Sequence, residues 1–409
     1  MTTKRSAPTP RPTWPRPTMS AITTGARALL HRQLPRTVRY AGPEGTMLAA
    51  GQVPRAPSIA AMVCGDEVAP GGGRRAPRRT VPPRCLRFAA DGGVALVEPA
   101  LAPPGVFDTA TLELPLLVDL FRPLPATLEA LRDSLRTSTT REDLRRIRKA
   151  GFTYRITTDP DAIRTFHARY VTALLTSRFP EDGKPEPVET TLRQLDEGGE
   201  LICLDLDGEW VAGLFNVVRE RSYQLGAVGI RDGDEDIRRK HAIAALIVRS
   251  FERAVELGRE EATLGRSVPF LGKGPIWFKA KWGGVLRLNP AIPRARMLMD
   301  LRHEPVRRLL AERPVIHCDG GELALALWQP PGRSALDDTL REAGRYPGIA
   351  RWFVLGAPAT LAEGGEALAA NPKIVRVPVE PGADGPLWLG EVLRAPPAPV
   401  PSAPASAGP

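Results

Sequence analysis

Lys279 and Lys281 stand in Phe278-Lys279-Ala280-Lys281-Trp282-Gly283-Gly284, shortly after Gly265-Arg266-Ser267-Val268-Pro269-Phe270. Upstream, Arg238, Arg239, Lys240 and His241 open an apolar run from Ala242 to Val248. A lysine ammonium fixed where an oxyanion develops stabilises a tetrahedral intermediate. A helix start bearing basic residues receives an anionic group, because its first N–H groups lack partners and the positive end of its dipole lies there. Together these pieces suit acyl transfer from an activated, anionic donor to an attacking amine. Such a reaction needs positioning more than a covalent nucleophile. No Ser-His-Asp or Cys-His arrangement is legible in the chain.

Residue types leave the individual roles partly open. Two positions apart on a helix, Lys279 and Lys281 cannot share a face, so at most one enters a cleft. Trp282 either packs in the core or stacks on a substrate. For a general base, Tyr223, Gln224 and His241 are candidates, with Asp232 and Asp234 in a loop nearby. His241 is placed where the helix dipole disfavours its protonated form. Arg266 and Ser267 are candidates for the substrate side. Arg238, Arg239, Lys240 and Ala242 are candidates for the donor's anionic end.

The elements that must hold these residues follow from periodicity. Thr153–Thr157 alternates as a strand, and Asp159-Pro160 supplies an N-cap and a first-turn proline. Ile163, Phe166, Tyr170 and Leu174 then repeat at helical spacing. A helix is predicted near Val188–Asp196. Leu201–Leu206, the turn Asp207-Gly208 and Trp210–Val218 read as a hairpin, and Tyr223–Ile230 as a third strand. A long helix is predicted over 235–257, a strand over 262–264, a helix over 276–282 and a strand over 285–288. The crossover between the strands 223–230 and 262–264 makes them parallel and right-handed, and a ligand can enter where they splay. Upstream, 85–88 and 94–97 flank Asp91-Gly92-Gly93 as a hairpin, 112–120 reads as one strand broken by Pro115, and 126–135 as a helix. Thr139 and Glu142 form a capping-box pattern for a helix ending at Gly151. Strands at 315–318, 323–328, 352–355 and 374–377, with helices at 335–343 and 359–369, make a small C-terminal α/β module over 312–395.

Composition bounds the rest. The 409 residues include 43 prolines, and the net charge is +10. The first 90 residues hold 15 of the 56 Lys and Arg but only 3 of the 46 Asp and Glu, so the surplus is N-terminal. Residues 1–83 are therefore expected to form a mostly disordered, basic, Pro-rich tail, with order beginning near Arg84 and a second disordered tail over 396–409. The tail's basic residues suit an anionic polymer or a membrane surface, or plain solvation. Cys64, Cys85, Cys203 and Cys318 share no ligand spacing, and no metal site is expected. No stretch reaches the roughly 18 apolar residues a membrane span needs. The cytosol is the expected location.

The block Arg145–Leu288 resembles the GNAT acyltransferase fold, and within it the Fem-type and cellulose-biosynthesis-type, BioF2-like branch. The residues that carry the resemblance are the hairpin 201–218, the helix end Ala254-Val255-Glu256-Leu257-Gly258, the Gly265–Phe270 motif and Phe278-Lys279-x-Lys281-Trp282-Gly283. The resemblance implies an α/β (α+β) architecture with a GNAT-like mixed sheet over 151–300, and a subdomain 84–150 packed on it. It implies an N-acyltransferase with no permanently bound cofactor, using acyl-CoA or an acyl-carrier protein as donor and an amine, in cell-envelope, polysaccharide or lipid chemistry, as acceptor. It also implies that Lys279 lies near the transferred carbonyl. One departure stands out. The phosphate-binding pattern Arg/Gln-x-x-Gly-x-Gly/Ala is here Arg239-x-x-Ala242-x-Ala244, without the glycine that admits close approach. Two other expectations stay open: a Fem-type aminoacyl transferase using charged tRNA, against which 84–145 is too short for a second GNAT-like half, and a non-catalytic binding protein on a decayed GNAT domain.

Overall fold

The structure is a computed structural model. It describes residues 34–65, 67–178, 185–272, 274–332, 345–363, 371–380, 382 and 385–395. The expected tails 1–33 and 396–409, and the expected helix 335–343, lie outside the described residues.

Two mixed sheets organise the chain. The first takes β1 (Arg36–Gly42), β2 (Gly45–Ala50), β3 (Ala69–Pro70), β4 (Arg74–Arg75), β5 (Val94–Val97) and β6 (Leu112–Pro115) from the N-terminal part. The second contains β7 (Val118–Pro123), β8 (Thr153–Thr157), β9 (Gly199–Leu206), β10 (Glu209–Val218), β11 (Ser222–Ile230), β12 (Glu261–Ser267) and β13 (Val285–Arg287). The chain then returns to the first sheet with β14 (Arg294–Leu298), β15 (Val315–Asp319), β16 (Glu322–Trp328), β17 (Arg351–Gly356) and β18 (Ile374–Pro378). The second sheet is thus an uninterrupted insertion between β6 and β14. Its order is β13-β7-β12-β11-β10-β9-β8.

The mixed α/β class agrees with the sequence reading, but several elements correct it. Residues 34–83 are not a tail. The hairpin β1–β2 buries Tyr40, Met47, Ala49 and Ala50, and the helix Ala56–Cys64 covers it with Ile59, Ala60 and Val63. These short periodic runs are hidden by the proline and arginine around them. Arg74 and Arg75 of the expected flexible cluster pair in β4 with β1. Residues 85–88 are not a strand but part of the helix Val81–Ala90. Prolines occupy its first turn, where no N–H is needed, and Val81, Cys85 and Ala89 recur every fourth residue on its buried side. Asp91-Gly92-Gly93 therefore ends a helix, and the strand after it, β5, lies parallel to β2.

The predicted single strand 112–120 is two strands in two different sheets: the break after Pro115 is the crossing from β6 to β7. The C-terminal residues do form an α/β unit, but not a separate one. β15 pairs with β16 and bridges to β6 through Cys318 and Glu113. The two sheets also share one apolar core, with Leu120, Phe251, Leu264 and Trp282 on one side and Ile316, Leu325, Trp352 and Val354 on the other.

Within the second sheet the helical pattern holds closely. Thr127 caps Leu128–Ser134 by accepting from the Ala130 N–H. Asp159 caps Pro160–Phe166 by accepting from the Asp161 N–H. The helix Arg141–Ala150 ends at Gly151, whose φ is 72°. The predicted helix 235–257 is instead two helices, Glu235–Arg239 and Ala242–Glu256, broken at Lys240 and His241. The longer one inserts Ala245, Leu246, Phe251 and Ala254 into the core. Each fully buried Leu or Phe of this kind contributes about 1.5–3 kcal/mol.

Candidate functional site

Parallel strands β11 and β12 pair only over Ser222–Glu261, Tyr223–Ala262 and Gln224–Thr263. Beyond Gln224, β11 continues along β10 to Ile230, while β12 follows β7 to Ser267. The two parallel strands therefore part at their C-terminal ends, where ligands of open α/β sheets enter. A register shift between Thr263 and Arg266 in β12 sharpens the divergence. Gly265 sits in that bulge with φ 72°, a conformation that costs an L-residue roughly 1–2 kcal/mol. Gly265→Ala is expected to lower stability by about 1 kcal/mol, measurable by urea unfolding, because the left-handed conformation cannot be relaxed without disturbing the ladder to β7.

The bulge aims the end of β12 at one lysine. Lys279, on the helix Pro275–Lys281, donates from Nζ to the Arg266 carbonyl oxygen (2.8 Å) and to Ser267 Oγ (3.1 Å). Ser267 is buried. Burial pulls the Lys279 pKa down to about 8, with Asp119 opposing the shift. The Arg266 side chain turns the other way and pairs with Asp119 (3.2 Å). Arg266 and Ser267 thus end a strand in direct contact with Lys279, rather than forming a loop across a cleft from it. Lys281 leaves the opposite side of the helix, and its Nζ lies 2.5 Å from Asp143.

At the start of Ala242–Glu256 the geometry differs from the expectation. Arg238 and Arg239 belong to the preceding short helix, exposed, with Arg238 bonded to Glu235 (2.6 Å through Nε) and Arg239 to Asp236 (3.4 Å). The helix break takes them away from the first turn of the long helix. Lys240 is the exposed residue at the break. His241 adopts φ 67° and offers no side-chain cap to that turn. Its Nδ1 faces Asp143 (3.5 Å) and its Nε2 faces Arg146 (3.3 Å). Both ring nitrogens are therefore engaged, which disfavours His241 as a free base and makes it a link between helices. Ala242, where the pattern has glycine, and Ala244 are both buried in the core.

Tyr223 is corrected as a general base. It is fully buried, and its hydroxyl donates to Glu200 Oε1 at 2.6 Å. Glu200 also receives Arg253 through two 3.0 Å bonds. Burial and the Glu200 carboxylate push the Tyr223 pKa well above its ordinary value. Trp282 is likewise a core residue, 0% exposed, and touches no free surface where a substrate could stack. Gln224 marks the last paired position before the strands part. Asp234 caps the short helix (2.7 Å to the Asp236 N–H) and Asp232 pairs with Arg169 (2.8 Å), so both loop carboxylates are occupied. Asp143, Asp119, Glu200, Arg253 and Arg122 went unnoticed in the sequence. Nothing but tertiary contact distinguishes them from ordinary surface charges.

Among the described residues no group of His, Cys, Asp and Glu is arranged to hold a metal ion, and no helix is long and apolar enough to cross a membrane.

Residues 134–271 match the acetyltransferase (GNAT) domain family. No curated protein matches the chain. Among solved structures, the C-terminal DUF2156 domain assigned to a lysylphosphatidylglycerol synthetase of Agrobacterium fabrum is 15% identical, with TM-score 0.33 over 65% of this chain and 81% of that one. The structure of L-PGS from Bacillus licheniformis is 13% identical, with TM-score 0.30 over 66% and 83%. FemX is 13% identical, with TM-score 0.36 over 64% and 87%. At these TM-scores the three likenesses bear on neither activity nor substrate. The segment that matches the family contains the splayed strands, the long helix and the Gly-Arg-Ser strand end.

Proposed function

We propose that the chain is an N-acyltransferase that moves an acyl group from a thioester donor, acyl-CoA or an acyl-carrier protein, to an amine. The donor's acyl arm enters where β11 and β12 part. Its anionic end lies toward Lys240 and the uncapped first turn of Ala242–Glu256. Ala242, Ala244 and Ala245 of that turn are themselves buried, so contact with the anionic end falls first to the exposed Lys240 at the helix break. The amine attacks the thioester carbonyl, the C–S bond breaks as the amide forms, and the amine's proton passes through water to the departing thiolate. The Lys279 ammonium, with the Ser267 hydroxyl beside it, stabilises the intermediate oxyanion. One observation carries this reading: a partly desolvated lysine held at the end of the strand that borders the gap.

The acceptor class we infer is an amine of a cell-envelope, polysaccharide or lipid precursor, on the resemblance to the Fem-type and cellulose-biosynthesis-type branch. A second reading, transfer of an aminoacyl group from charged tRNA, is favoured by one feature. The first sheet supplies a second large α/β half from both chain ends, which removes the objection of length. Thiol release from acetyl-CoA, longer acyl-CoAs and acyl-carrier protein, and deacylation of aminoacyl-tRNA, each measured with and without amines, separate the readings. Amine-dependent release supports the first. Transfer seen only from aminoacyl-tRNA supports the second, and transfer from none of these sinks both.

The pH profile has a defined sign. Lys279 acts as a cation, so its contribution is present below about 8 and is lost as pH rises through that value. Turnover is expected to fall on the alkaline side with an apparent pKa near 8. Lys279→Arg keeps its charge throughout this range, so the alkaline limb should vanish in that variant whatever its absolute rate. A limb that stays in place would assign it to another group.

A further inference from the structure

Arg122, in β7, is 7% exposed. Its Nη1 donates to the Trp282 carbonyl oxygen (2.5 Å) and its Nη2 to Ser134 Oγ (2.6 Å). The guanidinium carbon lies 5.2 Å from the centre of the Phe251 ring. All these partners are neutral, and Nε has no partner. Burial lowers the Arg122 pKa, and no neighbouring carboxylate opposes that shift. A buried cation without a counter-ion is costly, and the three neutral contacts do not supply the missing charge.

The guanidinium borders a cavity of about 270 Å³. Thr137, Thr139 and Thr140, in the turn before the helix Arg141–Ala150, form another wall, and Trp277 and Lys281 a third. Lys281 has its own counter-ion, Asp143; among the described residues Arg122 has none. The threonine hydroxyls bond mainly to one another, Thr137 to Thr139 at 2.9 Å and Thr137 to Thr140 at 2.8 Å. Thr140 is held in place by its own bonds to the Leu135 carbonyl oxygen and the Thr137 N–H, whereas the exposed hydroxyls of Thr137 and Thr139 can turn toward a guest. The cavity is below the roughly 300–1,000 Å³ usual for drug-sized ligands, so its guest is small or is the end of a larger molecule. A guanidinium and several hydroxyl donors on different walls match a group with three terminal oxygens better than the two of a carboxylate.

We propose that this cavity binds a phosphate group, with Arg122 as its counter-ion and the hydroxyls of Thr137 and Thr139 as further donors. The site lies on the side of the helix Pro275–Lys281 from which Lys281 leaves, whereas Lys279 serves the strand end. The test uses the full chain and inorganic phosphate, with sodium chloride and sodium acetate at matched ionic strength, read by thermal shift and tryptophan fluorescence. Phosphate is expected to give a saturable rise in apparent Tm of about 2 °C, and chloride and acetate none. Thr137→Val with Thr139→Val, both at exposed positions, should weaken phosphate binding at least ~10-fold, with circular dichroism checking that the variant is folded. Arg122→Lys, which loses the planar fork, should weaken it further. If that variant fails to fold, the threonine pair still decides. The proposal is overturned if phosphate gives no saturable effect or if acetate matches it. It is also overturned if the threonine variant binds like the parent, which would move the ion elsewhere, for instance to the exposed arginines Arg79, Arg84 and Arg87. Because the readout needs neither acyl donor nor acceptor, it stands or falls separately from the acyl-transfer reading.

Discussion

Lys279→Met is expected to lower turnover about 10²–10³-fold, the usual loss when one oxyanion donor is removed, and to raise thermal stability at the same time. The two effects share one cause. Covering the ammonium with the helix Pro275–Lys281 and the end of β12 makes the charged form costly, and this is what draws its pKa down to about 8. Because the folded value lies below the unfolded one, the unfolded chain binds more protons between these values. Lys279 therefore costs stability below pH 8, and that cost disappears as pH rises from about 8 to its unfolded value of 10.5. Methionine fills similar space without the charge. After a discount for partial exposure and for the bonds lost to Arg266 and Ser267, the gain is about 1–2 kcal/mol at neutral pH. Calorimetry at pH 7 and pH 10 checks this, since the advantage of the variant should shrink at the higher pH. A variant that is as active as the parent, or less stable at pH 7, would remove Lys279 from the site.

The largest structural effect is expected at Glu200. Its carboxylate accepts from the Tyr223 hydroxyl and from two nitrogens of Arg253, joining β9, β11 and the long helix beneath the point where the strands part. Glu200→Ala leaves the buried Tyr223 hydroxyl without its acceptor and the partly exposed Arg253 with only Glu256 nearby, at 3.9 Å, at a cost of about 2 kcal/mol. Urea unfolding would show it as a lower midpoint with little change in slope. Tyr223→Phe removes only one of the three bonds and should cost about 1 kcal/mol while turnover persists. Loss of turnover in a well-folded Tyr223→Phe would restore the tyrosine as a base.

Much of the second sheet is legible in the chain. The alternation of Thr153–Thr157, the caps at Asp159 and Gly151, and the turn Asp207-Gly208 are local signals, each decided by a few neighbouring residues. The parallel pairing of β11 with β12 follows from the strand-helix-strand order and its handedness. The first sheet is not legible in this way. β1, β2 and the helix Ala56–Cys64 hide among prolines and arginines, and composition averaged over eighty residues masks runs of six. The switch at Pro115 sends adjacent strands to different sheets, a choice made by distant partners rather than by the residues at the break.

For the site, residue types and spacing alone determined that a lysine helix follows a Gly-Arg-Ser strand end, and that Lys279 and Lys281 face apart. Those are consequences of helical geometry and of bond connectivity. Only the tertiary structure decided which polar groups are spoken for. Tyr223 is taken by Glu200, His241 by Asp143 and Arg146, Arg238 by Glu235, while Arg122 has no counter-ion among the described residues. Ionisable side chains look alike in a sequence, and what separates a structural charge from a chemical one is burial and the identity of the neighbour. Both come from segments as far apart as Arg122 and Trp282, which only folding brings within hydrogen-bond distance.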